Sequence, residues 1–82
     1  IEMLGPKKIV TLLNDKIAEK YEGEGIFLTV LCVFFDSSEG TLTYTCAGHE
    51  PPFFVDASGK ASSLLQTQLI AGIDPAFHYR EH

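Results

Sequence analysis

The chain has 82 residues, 45% of them hydrophobic and 21% charged, and carries a formal net charge of −5. This is ordinary globular material rather than a disordered tail, and with no basic cluster beyond Lys7–Lys8 it argues against binding nucleic acid or an anionic membrane through a basic face. No apolar run reaches the roughly 18–20 residues that span a bilayer, no signal-peptide pattern is present, and two cysteines make no disulfide framework, so a cytoplasmic protein is expected.

A helix is predicted from about Pro6 to Tyr21. Proline suits the first helical turn, where its missing N–H is not needed. Apolar residues at Ile9, Val10, Leu12, Leu13, Ile17, Ala18 and Tyr21 recur at spacings of three and four and mark one sticky face. Lys7, Lys8, Asn14, Asp15, Lys16, Glu19 and Lys20 fall mostly elsewhere, although Asn14 and Asp15 are poor residues for the middle of a helix. Glu22-Gly-Glu-Gly25 ends the helix with glycine.

The run Ile26–Phe35, IFLTVLCVFF, then carries one polar side chain, Thr29. Its β-branched and aromatic content and its flanking glycines make it a strand. Ile26, Leu28, Val30, Cys32 and Phe34 line one face, and Phe27, Thr29, Leu31, Val33 and Phe35 the other. Both faces are apolar, so the strand is expected to be central and to need cover on both sides. The helix can cover one; the other calls for a second copy of the chain or for more of a larger domain. Ile1 in place of an initiator Met, and an end inside the strand-like run Phe77–His82, favour a partial domain spanning residues 1–82.

Asp36-Ser-Ser-Glu-Gly40 is a turn, and Thr41 to Gly48 alternates as a half-buried antiparallel partner. Leu42, Tyr44 and Cys46 face one way, and Thr41, Thr43 and Thr45 the other. A five-residue loop places Asp36 opposite Leu42 and Cys32 opposite Cys46; two buried thiols rather than a disulfide are expected there. Pro51 and Pro52 then force a turn or an edge. Phe53–Val55, Asp56–Gly59 and Lys60–Leu65 form another hairpin, Asp74-Pro75 turns, and Phe77–His82 begins one more strand. The fold class is therefore α+β, one helix plus antiparallel hairpins.

The chemistry-bearing residues are sparse. His49 stands beside Glu50, but adjacent residues on an extended chain point opposite ways and do not act on one atom together. A structural His49, held at a strand end, is the simpler reading. His78 and His82 on a strand lie ~13 Å apart between Cα atoms, too far for easy chelation. Gly23 and Gly25 lack the strand-before, helix-after order of a phosphate loop. The residues alone thus identify no catalytic set and no metal-ligand set, and a stand-alone hydrolase built on His49 lacks a nucleophile.

Leu13-Asn14, Phe27-Leu-Thr29, Asp36 with Gly40, Leu42-Thr-Tyr44, and above all Ala47-Gly-His-Glu-Pro-Pro52 occur in an order that resembles the SpoIIE-type branch of the PP2C-like metal-dependent serine/threonine phosphatases. Gly59, Leu64-Leu65 and Ile70-Ala-Gly-Ile73 extend the likeness, with Ala71-Gly72 where Leu-Gly is more usual. The resemblance implies an α-β-β-α sandwich. It also implies hydrolysis of phosphoserine or phosphothreonine with Mn²⁺ or Mg²⁺, on a STAS-type anti-anti-sigma regulator in bacterial stress or sporulation signalling. The family's ligand aspartates belong to motifs absent from this chain, and Asp15, Asp36, Asp56 and Asp74 do not occupy them. Ala47, Gly48, His49, Pro51 and Pro52 match a signature read as architectural, so the segment alone is expected to be inactive and to bind no metal. The alternative is a non-catalytic dimerisation or interaction module on the same scaffold, and self-association is expected on either reading.

Overall fold

The structure, a computed structural model, describes residues 4–64 and 66–82. Helix α1 spans Pro6–Lys20, with Pro6 in the first turn and Gly5 as an extended N-cap that has no side chain to offer the free N–H groups. A carboxylate from the far end of the chain serves instead: Glu81 Oε2 accepts the Lys7 N–H at 3.2 Å, where negative charge also favours the helix dipole. The helix closes at Tyr21, whose N–H bonds to the Ile17 carbonyl at 3.0 Å, and Gly23 (φ 77°) follows in the left-handed region.

The buried side of α1 is narrower than the apolar stripe implies. Pro6, Val10 and Asn14 are buried at four-residue spacings, with Ile17 half-buried three residues further on. Leu12 and Leu13 stay 46% and 38% exposed. Asn14, expected on the polar side, is instead fully buried. Its Nδ2 donates to the Asp74 carbonyl at 2.8 Å and its Oδ1 accepts the Gly72 N–H at 2.7 Å. Both atoms of the amide are used, so burying this polar group is tolerated.

Strand β1 is Val30–Asp36 and β2 is Thr41–Ala47, paired antiparallel. The expected strand from Ile26 therefore starts four residues late. Ile26 and Phe27 are exposed, and Leu28 exchanges two backbone hydrogen bonds, 2.9 and 3.0 Å, with Ala71. The loop between β1 and β2 holds four residues, not five. Asp36 Oδ1 accepts from Ser38 N, Ser38 Oγ and Glu39 N, and Gly40 (φ 67°) completes the turn with its N–H on the Asp36 carbonyl at 2.8 Å. Asp36 thus faces Thr41, Cys46 faces Leu31, and Cys32 faces Thr45. A one-residue shift in register moves a side chain to the other face, so the two cysteines lie on opposite sides of the hairpin. Both are free, with Cys46 buried and Cys32 only half-buried.

The strand that organises the molecule is β2 rather than β1. Beyond its pairing with β1, Tyr44 exchanges two 2.8 Å bonds with His82, and Gln68 bonds to Cys46 and Gly48 across the same edge. Tyr44 to Ala47 are consecutively buried, so both faces of this half-strand are covered. Thr45, expected on a polar face, is fully buried and donates its hydroxyl to the Arg80 carbonyl at 3.0 Å. The core is Val10, Ala47, Ala71 and Tyr79, with Val30, Cys32 and Phe77 against it. On the opposite face of β1, Val33 and Phe35 remain 43% and 67% exposed.

A second hairpin pairs β3, Phe53–Val55, with β4, Ala61–Ser63. Its turn repeats the first device, Asp56 Oδ1 accepting from Ser58 N, Ser58 Oγ and Lys60 N. The expected strand Lys60–Leu65 is shorter here, and Leu65 lies outside the described residues. Phe77–His82 forms no strand of its own, although His82 pairs with Tyr44. One helix with two antiparallel hairpins makes an α+β fold. Among the described residues no helix is long and apolar enough to cross a membrane.

Candidate functional site at the end of the second strand

The segment from Ala47 to Pro52 leaves the buried end of β2 and turns outward. Ala47 is fully buried beside Val10 and Ala71. Gly48 sits at φ 67°, a conformation side chains other than glycine rarely adopt. A Cβ there would also meet Ile70 Cβ at 2.9 Å and Ile70 Cα at 3.0 Å. Its N–H donates to the Gln68 carbonyl at 2.8 Å, which ties the strand end to the chain crossing beneath it.

At His49 the main chain and the side chain have different surroundings. The carbonyl accepts from Thr67 Oγ1 at 3.1 Å and from Cys46 Sγ at 3.2 Å, so a buried thiol and a hydroxyl hold the turn. The imidazole is exposed, and its Nδ1 lies 2.6 Å from the carbonyl of its own neighbour Glu50, an acceptor that requires the Nδ1–H tautomer. The ring therefore pairs with the backbone of Glu50. Pro51 and Pro52 are half-buried, and the Pro52 carbonyl accepts the Leu64 N–H at 2.9 Å, joining the turn to the second hairpin.

The carboxylates are scattered. Asp36 and Asp56 each cap their own turn. The hydroxyl of Ser38, then the N–H groups of Glu39 and Ser38, hold the Asp36 carboxyl below the usual carboxylate range. For Asp56 the Ser58 hydroxyl leads and the Lys60 N–H follows. Asp74 Oδ1 accepts the Ala76 N–H at 2.9 Å. Asp15 has one buried oxygen, Oδ1, without a partner. It acts on Tyr79, whose hydroxyl is pushed up first by burial and then by the charges of Asp15 and Asp74. Among the described residues no three His, Cys, Asp or Glu side chains gather as a metal-ligand set. The described residues thus offer a divalent ion no such cluster. A cleft of about 710 Å³ beside α1 presents Asp15, Glu19 and Glu22 above Phe27, Ile73 and Pro75, with no imidazole to serve as a base.

The family model for stage II sporulation protein E (SpoIIE) matches residues 2–82. The chain belongs to the SpoIIE family. The likeness carried by Ala47–Pro52 therefore points to the right family, that of the SpoIIE-type, PP2C-like phosphatases. A curated relative, Protein IcfG of Synechocystis sp., is 33% identical over 78 residues. That alignment covers 87% of this chain and 12% of the relative, so the chain spans about an eighth of IcfG's length. No solved structure matches the chain significantly.

Within this SpoIIE segment, sequence reasoning missed the groups that hold the motif in place. Thr67 and Gln68 come from a polar stretch with no pattern of its own. Asn14 did leave a signal, since a polar residue four positions after Val10 stands on the helix's buried row.

Proposed function

We propose that this chain is a scaffold segment of a metal-dependent phosphoprotein phosphatase. The parent enzyme removes phosphate from serine or threonine of a small STAS-type regulator in bacterial stress or sporulation signalling, in the cytoplasm. The observation that supports this reading is the family match across residues 2–82. The Mn²⁺ or Mg²⁺ such an enzyme uses would take its ligands from the rest of the parent domain. What this chain contributes is a rigid strand end: Gly48 and the His49 carbonyl, fastened by Gln68, Thr67 and Cys46.

The test compares the chain with the full-length protein on p-nitrophenyl phosphate in Mn²⁺. The full-length protein is expected to turn over and the isolated chain to stay at background. Turnover by the chain that tracks Mn²⁺ and survives repurification overturns the ligand assignment. A full-length protein that is inactive with Mn²⁺ and with Mg²⁺, on this ester and on phosphopeptides alike, overturns the enzyme. The second reading, a non-catalytic dimerisation module, is favoured by the exposed Val33 and Phe35 on a sheet face without cover; an inactive but dimeric full-length protein supports it.

A further inference from the structure

The chain's single arginine, Arg80, and two of its three histidines, His78 and His82, line one open groove of about 400 Å³ together with Gln66, Thr67, Gln68 and residue Phe77. Alternation along the extended segment 77–82 separates these three from their neighbours. Tyr79 goes into the core and Glu81 reaches back to α1, so among the described residues no Asp or Glu side chain lines the groove.

The backbone beneath the groove is held at several points. Arg80 N–H donates to Gln68 Oε1 at 2.8 Å, while Gln68 Nε2 and Thr45 Oγ1 donate to the Arg80 carbonyl at 2.9 and 3.0 Å. His82 exchanges its two bonds with Tyr44, and the His82 ring rests 5.6 Å from the Tyr44 ring. Among the described residues the bonds to Arg80 all use its backbone and the residue is exposed, so its guanidinium donors can meet a group from outside.

A groove lined by no Asp or Glu side chain, with an arginine between two imidazoles in sequence, runs against the character of a chain whose net charge is −5. Its donors suit an oxygen-rich anion. A guanidinium binds phosphate through two parallel N–H bonds, and imidazole N–H groups add single ones. We propose that this groove binds the phosphoryl group of a phosphorylated peptide segment and so docks a partner protein at this end of the sheet. The choice of a phosphoryl group over a carboxylate rests on the phosphatase reading above; the anion-binding character rests on the groove.

The test uses the full-length protein in EDTA, which stops metal-dependent turnover of the probe. A short alanine peptide centred on phosphoserine, its unphosphorylated twin and inorganic phosphate are each titrated while the imidazole resonances of His78 and His82 are followed by NMR. The phosphopeptide is expected to shift both rings saturably, the unphosphorylated twin to leave them in place, and Arg80→Gln to weaken binding by about tenfold or more. His78→Gln gives a second comparison should circular dichroism show Arg80→Gln unfolded. Unmoved rings, or an affinity that neither variant changes, overturn the proposal, and inorganic phosphate binding as tightly as the phosphopeptide overturns the peptide assignment. Hydrolysis of the same peptide in Mn²⁺ is measured separately. Unmoved rings with hydrolysis intact remove the groove and leave the enzyme; shifted rings without hydrolysis support the groove and remove the enzyme.

Discussion

Replacing Asn14 with Ala removes the tie between α1 and the 69–77 segment. Asn14 is fully buried and satisfies two backbone groups, the Gly72 N–H at 2.7 Å and the Asp74 carbonyl at 2.8 Å. The Tyr79 hydroxyl, 3.5 Å from Asn14 Oδ1, keeps its shorter bond to the Leu69 carbonyl at 3.0 Å and is largely spared. Each backbone group left unpaired in these part-buried bonds costs about 1–3 kcal/mol. Alanine returns roughly half a kcal/mol through its better helix propensity. The net destabilisation is therefore about 2–5 kcal/mol, a large part of the ~5–15 kcal/mol that holds a domain together. Thermal unfolding is expected to shift by at least ~8 °C, at ~4–8 °C per kcal/mol for a chain of this size. Hydrogen exchange across residues 69–77 should accelerate before the rest of the chain opens. Leu13→Ala, on a side chain 38% exposed, serves as the milder control. An Asn14→Ala protein as stable as its parent, with the Gly72 amide as protected as before, would refute the reasoning.

The strand-end motif makes a contrasting pair. Gly48→Ala meets both a left-handed backbone and the Ile70 side chain, and should lose about 1–3 kcal/mol in denaturant unfolding. His49→Ala removes an exposed ring that, among the described residues, bonds only to its neighbour's carbonyl, and should stay within ~0.5 kcal/mol; a stable His49→Ala enzyme with a collapsed kcat would place the imidazole in the chemistry. The Asp36 and Asp56 carboxyls are held low in the folded state, so their contribution is present above the unfolded aspartate value near 3.9 and lost as pH falls through the lower folded value. The protection factors of the Ser38 and Ser58 amides, with the intrinsic pH dependence of exchange divided out, should therefore fall on acidification, and an Asp56→Asn hairpin whose acid response matches the parent's would contradict this. Val33→Asp, on the uncovered sheet face, should dissociate the self-association expected of the isolated chain, since burying each such side chain is worth ~1.5–3 kcal/mol. A parent chain that sediments as a compact monomer at high concentration would remove that expectation.

Local pattern determined a good deal of this protein. Pro6 and the three-and-four spacing locate α1, the Asp-Ser-Ser-Glu-Gly and Asp-Ala-Ser-Gly stretches locate both hairpin turns, and Ala47–Pro52 marks the SpoIIE family. Each of these depends on residues close in sequence, whose φ preferences and side-chain bonds act over one turn of chain. Register did not follow so easily. Whether the first loop holds four or five residues depends on how Asp36 and Gly40 close it, and that one residue separates Cys32 from Cys46. The centre of the sheet was hidden for a different reason. Ile26–Phe35 is the more apolar run, yet β2 is the buried strand, because segments some twenty and forty residues later pair with its free edge through Gln68 and His82. Backbone hydrogen bonds carry no trace in side-chain hydropathy, so only the tertiary structure could decide which strand lies inside. The same holds for Asn14, Glu81 and Arg80, whose partners lie 58 to 65, 74 and 12 to 35 residues away.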